Sequence, residues 1–461
     1  MEEAMSGDLA VTTEWERLVE GAREQRALDQ RTPEQRPLDG ASPEERACFA
    51  ALGIRWNEVW LTEGRDGFID VIRNGPYLSG YHLAQWMAWN WWRLRWEPRS
   101  TSDSWAFAHR MATIGEGYVW PNITIFSDGE RVAVIAKPSS PRQKSSFRYI
   151  NDVVAVIPAT QFESVADEFV ERIRGKLRAE GMVDTNLDRI WIDVTEERSD
   201  PEIARRRKLE ALLGFDPDDA DDDTIERLIR DAEPLGQAAV EEVAADRADG
   251  GDLPSAEALR EIAERGGFEA SPRDAVRLAP RTALPQRGQT PAWRLGAEAA
   301  KALRAQQRLD GQPISDERLA RMAGVSVEAL NDQHGTGGMA YAIDESAMRG
   351  RVVLRSRWRA GRRFEIARLL GDRLVGGHGA GALFPATRAY TYRQKMQRAF
   401  AAELLSPFHA VDDMLDGDYS EERQQDAAEH FRVSEQTIWT VLANHGRIDR
   451  EPGGEFDSAP A

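Results

Sequence analysis

The sequence predicts an α+β N-terminal domain followed by a mainly α-helical C-terminal domain. Three observations carry this reading. Up to about residue 195, short β-rich runs such as "NEVWLT", "GFIDVIR" and "NITIFSDGERVAVIAK" stand beside two long helical patterns. From residue 291 onward, helical patterns dominate the chain. Between the two, the composition shifts to acidic and Ala/Glu-rich stretches such as "FDPDDADDDTIERLIRDAEPL".

With 461 residues, 41% of them hydrophobic, the chain has room for two or three domains. Its formal net charge of -18 gives a phosphate backbone no overall attraction, so a nucleic-acid contact would need a local basic patch. Cys48 is the one cysteine, which excludes a disulfide framework and a Cys-rich zinc module. The N-terminal stretch has no basic region followed by an apolar run. No window approaches roughly 18 uninterrupted apolar residues, so the expectation is a cytoplasmic protein without membrane contact.

In chain order, residues 1–47 read as a flexible polar segment with a Pro/Gly connector, "RTPEQRPLDGASPEER", and little packed structure. Residues 48–195 read as a Trp-rich α+β domain. There "SGYHLAQWMAWNWWRLRWEP" predicts one helix that stops at Pro98, and Ser127-Asp128-Gly129 predicts a hairpin turn. "TQFESVADEFVERIRGKLRAEG" predicts an amphipathic helix ending near Gly181. Residues 196–290 predict small acidic helices packed on the first domain and fading into a linker at "APRTALPQRGQTPA". Residues 291–450 predict the helical domain, with one short strand in "GRVVLRSRW", and residues 451–461 a disordered tail.

Three stretches of the C-terminal domain are informative in order: "RRFEIARLLGDRL", "FAAELLSPF" (Phe400 to Phe408) and "AAEHFRVSEQTIWTVLANHGRI". Over roughly residues 300–448 the chain resembles the ImmA/IrrE family of zinc metallopeptidases. The first stretch is similar to that family's R-F-x-x-A-H-E-x-G-H-x-L helix at Arg363, Phe364, Ala367, Gly371 and Leu374. The second is similar to its F-A-A-x-L-L-M-P segment on the helix of the third ligand, the third to a downstream segment containing F-x-V-S. The resemblance implies a zincin-like fold. Histidines at i and i+4 share a helical face and can hold one zinc, with the glutamate after the first as general base.

The departures fall on that chemistry. Carried over residue by residue, the first ligand histidine lands on Arg368, the general base on Leu369, the second histidine on Asp372 and the third-ligand glutamate on Gln394. Arginine stays protonated and cannot coordinate zinc, leucine cannot take a proton, and Asp372 with Gln394 makes a poor zinc site. This pattern points to a pseudo-peptidase with no cofactor. In place of the metal we expect an exposed i, i+4 ion pair between Arg368 and Asp372, contributing about 0.3–0.5 kcal/mol, with a hydrogen bond from Gln394.

Two alternatives stay open. An active metallopeptidase with relocated zinc ligands would draw on Asp372, His378 and His409. A DNA-binding regulator would use the helix-turn-helix-like segments "ISDERLARMAGVSVEALND" and "EERQQDAAEHFRVSEQTIWTVLANHG", with Ser326 and Ser434 capping the second helices. Both second helices lack Arg and Lys, which with the net charge disfavours DNA as a partner.

Nine of the 14 tryptophans lie between Trp56 and Trp120. Trp86, Trp89, Trp92 or Arg93, and Trp96 follow at helical spacing, as on a buried aromatic face. His82 and His109 read as structural hydrogen-bonding residues. Lys137, Arg142, Lys144 and Arg148, with Phe147 and Tyr149 beside them, form the best local candidate for contact with a phosphate or acidic partner. The reading as a whole is a catalytically inactive regulatory or protein-binding factor. The resemblance implies as its setting stress response, mobile-element control or phage defence, and as its partner a repressor or an operon-encoded component.

Overall fold

Leu9–Trp15 (β1) runs antiparallel to Phe49–Trp56 (β2) along its whole length, from Leu9 opposite Trp56 to Trp15 opposite Ala50, and buries Leu9 and Val11. Between them Pro43–Ala47 (α1) starts at Ser42, whose hydroxyl accepts the Glu45 N–H. Packed structure thus begins well before residue 48. A single amphipathic strand is not a fold by itself, and the strand that pairs with β1 lies some forty residues away. In this computed structural model the chain forms two compact units, Met1–Ala220 and Asp221–Ala461. Described are residues 7–15, 41–67, 69–100, 102–142, 145, 147–248, 251–280, 282–332, 335, 338–376 and 381–449. The expected tail at 451–461 lies outside them.

The first unit continues with Val59–Trp60 (β3), Gly64–Asp66 (β4), Val71–Arg73 (β5) and Tyr77–Ser79 (β6); β3 and β6 both pair with β2. The predicted long helix is two helices, Gly80–Trp89 (α2) and Trp91–Trp96 (α3). Asn90 breaks it: its side-chain amide donates to Trp86 O at 2.8 Å and competes with the helical ladder. After Asp103–His109 (α4) come Ile123–Ser127 (β7), Arg131–Ala136 (β8), Phe147–Tyr149 (β9) and Val153–Pro158 (β10). The β7–β8 turn falls where Ser127-Asp128-Gly129 predicts it. Asp128 Oδ1 accepts the N–H groups of Glu130 and Arg131, and Gly129 takes φ +98°. Two antiparallel three-stranded sheets result, β10-β8-β7 and β5-β4-β9. Ala159–Ala179 (α5) buries Phe162, Phe169, Val170 and Ile173, and Asn186–Ser199 (α6) and Pro201–Leu212 (α7) complete the unit.

The acidic region 196–290 is therefore divided. Its first part, through α7, belongs to the first unit: Arg207 of α7 donates to Glu197 at 2.6 Å, and Trp92 to Glu197 at 2.7 Å. The remainder belongs to the second unit as Asp222–Leu235 (α8), Gln237–Ala248 (α9), Ala256–Gly266 (α10) and Phe268–Ala270 (β11).

The second unit then runs through Ala292–Gln306 (α11), Asp316–Ala323 (α12), Glu328–Asn331 (α13), Ala340–Asp344 (β12), Gly350–Val353 (β13), Arg359–Val375 (α14), Leu383–Ala386 (β14), Tyr392–Leu405 (α15), Phe408–Leu415 (α16), Glu421–Phe431 (α17) and Glu435–Asn444 (α18). It is more than a helical domain. It holds an antiparallel sheet in the order β11-β13-β12-β14, of which only β13 is foreseen from sequence. The others are three to five residues long, too short for a period to declare itself.

Helices α11, α14 and α15 pack around Phe400, which is fully buried. Burying such a side chain contributes about 1.5–3 kcal/mol. Glycine permits the close approach: a Cβ on Gly371 would meet Phe400 Cδ1 at 2.5 Å, and one on Gly296 would press into the Met396 carbonyl oxygen. We predict that Gly296→Ala destabilises the second unit by about 1–3 kcal/mol. Gly175→Ala, where the added methyl meets nothing within 4 Å, stabilises α5 by about 0.5–1 kcal/mol. Thermal unfolding of the two variants checks this; equal effects would contradict it.

Candidate functional site

Helix α14 carries the stretch that resembles the peptidase helix. It is rich in good helix formers and buried over most of its circumference, from Arg362 and Arg363 through Ile366, Ala367, Leu369 and Leu370 to Asp372. Arg363 is part of its scaffold. It has no exposure, pairs with Asp316, donates to Ile314 O at 2.7 Å and donates to Arg432 O at 3.1 Å, so it ties α14 to the start of α12 and the end of α17. Glu365 accepts the N–H groups of Arg355 and Ser356 at 3.0 and 3.1 Å and fixes the loop that enters the helix.

Three other elements meet α14 at Arg368 and Asp372. The edge strand β14 leads into Thr387. Helix α15 starts at Thr391, whose hydroxyl accepts the Gln394 N–H, and presents Arg393 and Gln394. Helix α9 packs on β14 and brings Glu242.

Asp372, fully buried, receives Arg393 as a bidentate partner, Nε to Oδ1 at 2.7 Å and Nη2 to Oδ2 at 2.6 Å. The expected Arg368–Asp372 pair does not form, and the site is interior rather than exposed. Arg393 comes from the facing helix with two nitrogens aligned on the two carboxylate oxygens. Arg368 donates instead to Thr387 O at 2.7 Å and to Gln394 Oε1, the hydrogen bond expected from Gln394. Gln394 uses its whole amide: Oε1 also accepts Thr387 N–H at 2.9 Å, and Nε2 donates to Glu242 Oε2 at 2.9 Å and to Pro385 O at 3.1 Å. Glu242 Oε2 further accepts the Thr391 hydroxyl at 2.6 Å. Leu369 packs into the core.

Burial pushes the Arg368 guanidinium down to about 9, and Arg398 nearby adds to this. Burial works against the charge of Arg393 too, but Asp372 outweighs it and holds that guanidinium more firmly protonated than usual. Glu242 is raised above the usual carboxylate range, first by burial, with Arg393 and its two hydrogen bonds pulling the other way.

These residues do not fit a zinc ion. Both oxygens of Asp372 are committed to a cation, the amide oxygen of Gln394 is committed twice, and a guanidinium stands where the first ligand would be. The chain matches no model of a known protein family, no curated protein and no solved structure. Of the relocated ligand set, Asp372 is held by Arg393, His409 sits on α16 beside Phe408 with Glu403, Asp412 and His445 as titratable neighbours, and His378 lies outside the described residues. Among the described residues no group of three His, Cys, Asp or Glu side chains could hold a metal ion.

The two helix-turn-helix-like segments differ. In the first the turn is real, with Gly324 at φ +66°, but α13 has four residues and Ser326 does not cap it. In the second α17 and α18 meet at Arg432, φ +57°, and Ser434 accepts the Thr437 N–H at 3.2 Å.

In the first unit Trp86, Trp91 and Trp92 are buried, whereas Trp89 is 61% exposed. His109 is interior, with Nε2 2.9 Å from Glu97 Oε2 and Nδ1 2.7 Å from Ile125 O, stacked on Trp105. His82 lies 3.6 Å from Glu45. Of the basic cluster, Lys137 is paired with Asp152, Arg142 and Arg148 are exposed, and Lys144 lies outside the described residues. The sheet β5-β4-β9 adds Arg65 directly opposite Arg148, a neighbour that sequence spacing does not suggest.

Glu242 and Arg393 are the site residues that sequence reasoning missed. A signal for Glu242 exists: it stands between Val240 and Val243 on a buried face of an Ala-rich helix. Because its folded pKa lies above the unfolded value of about 4.5, the stability it contributes is fully present below that value and lost as pH rises through the folded one. We predict that Glu242→Gln, which keeps an acceptor for Thr391 and Gln394, gains stability relative to the parent between about pH 5 and about pH 7.5. Urea unfolding at both pH values measures this, and a difference that does not change with pH would rule it out.

Proposed function

We propose that this chain is a non-catalytic regulatory factor that acts by binding another protein. In this reading the second unit keeps the helical scaffold of an ImmA/IrrE-like peptidase and has replaced its metal by side chains. What supports it is one observation: the positions where the resemblance puts the zinc ligands belong to a buried network, with Asp372 bonded to Arg393 and Gln394 bonded to Arg368 and Glu242. In such a network the oxygens of Asp372 and the amide of Gln394 are taken by donors and acceptors of the protein itself. The setting that goes with the resemblance is control of a stress response, a mobile element or phage defence, with a repressor or an operon-encoded protein as partner.

Metal analysis of the purified full chain, with and without added zinc, tests the proposal together with a protease assay. We expect no retained zinc and no chelator-sensitive cleavage. Stoichiometric zinc accompanied by chelator-sensitive cleavage would overturn it.

A further inference from the structure

Helix α2 and the loop after α4 enclose a pocket of about 320 Å³ in the first unit. Trp86 and Trp89 line it from the helix, and Ile114 and Glu116 from the loop. Trp86 is buried, and its Nε1 donates to Phe107 O at 3.3 Å, which holds the indole in place. Trp89 is 61% exposed and makes no ring-stacking or cation–π contact among the described residues. Other indoles of this unit differ. Trp15, Trp60, Trp91, Trp96 and Trp191 each have a Lys or Arg within 6.0 Å of the ring centre.

The carboxylate on the pocket wall sits in a costly conformation. Gly115, Glu116 and Gly117 take φ of +75°, +55° and +73° in succession. Glycine adopts this region freely, whereas the Cβ of a glutamate is crowded there. Trp120 anchors the turn, its Nε1 donating to Gly115 O at 2.8 Å. Side chains held in such backbone strain cluster at ligand sites. No Lys or Arg lines the pocket. His82, the lining residue able to carry a positive charge, has its Nε2 3.6 Å from Glu45 Oε2, so a carboxylate already faces it.

We infer that this pocket binds a small organic cation of the quaternary-ammonium kind. The methyl groups of the ligand lie against the indoles of Trp86 and Trp89 and against Ile114, and the Glu116 carboxylate balances its charge. A cation over a Trp face is attracted by the ring quadrupole, and aromatic walls of this kind are how methylated ammonium groups are recognised. An anion would meet Glu116 with no guanidinium or ammonium to hold it. A neutral planar ring could stack on Trp89 but would gain nothing from the carboxylate. The site belongs to the first unit, so it goes beyond the proposed function and is independent of what Asp372 does in the second.

The test is saturation-transfer NMR of the full chain titrated with choline. Salt at about 0.15 M screens the general attraction of cations to a chain of net charge -18. Controls are the uncharged analogue of choline, in which a tert-butyl group replaces trimethylammonium, and adenosine as a neutral planar ring. We expect saturable binding of choline, with both neutral compounds at least about tenfold weaker. Choline affinity falls about tenfold in Trp89→Leu and about threefold or more in Glu116→Gln. Both side chains are exposed, and circular dichroism of each variant checks that it folds. No saturable binding of choline, equal or tighter binding of either neutral compound, or unchanged affinity in either folded variant would overturn the proposal.

Discussion

The ion pair between Asp372 and Arg393 joins the two helices around which the second unit is built. Asp372 is fully buried and Arg393 nearly so, and each would carry several kcal/mol of desolvation if left alone. Their bidentate contact offsets that cost and thereby fixes the register of α14 against α15. With the register set, Gln394 comes under Arg368, and its amide reaches across to Glu242 of α9. A pair of this kind adds little net stability over an apolar pair of the same volume. What it does specify is position: one arrangement of α9, α14, β14 and α15 satisfies every partner of Gln394.

The residues that resemble the peptidase family and those that depart from it divide along this line. Arg363, Ala367 and Gly371 do mechanical work. Arg363 anchors two neighbouring segments, Ala367 is fully buried, and Gly371 lets Phe400 close on α14. Arg368, Asp372 and Gln394 depart from that pattern, and each is bonded within the protein. In the proposed function the interior of this unit is occupied by its own side chains, which leaves recognition of a partner to its surface.

Part of this was legible in the chain. The alternation of "NITIFSDGERVAVIAK" with Asp128-Gly129 marks a hairpin because both signals are local, and the period of α5 and α14 marks helices for the same reason. Ser434 is readable as a cap since its partner is three residues away. What was not legible depends on distance. Strand β1 is invisible until β2 covers it, the four-stranded sheet until its short strands pair, and the partner of Asp372 until α15 folds back. The i, i+4 rule nominated Arg368 for Asp372 because it sees only one helix. Arg393, adjacent to Gln394 in sequence, wins because it comes from a facing helix with both nitrogens aligned on the carboxylate. Glu242 lies more than a hundred residues from every other member of the site, so only its place on an apolar face gave it away.

The account turns on Asp372 being a partner of Arg393 rather than a ligand. A double-mutant cycle measures that directly, with Asp372→Asn, Arg393→Met and the two combined, read as the unfolding free energy of the second unit in the presence of a chelator. The structure predicts that either single change is strongly destabilising, and that the double variant recovers about 1.5–3 kcal/mol of the sum. Additivity within about 0.5 kcal/mol would mean that the two side chains do not depend on each other, and would contradict the account.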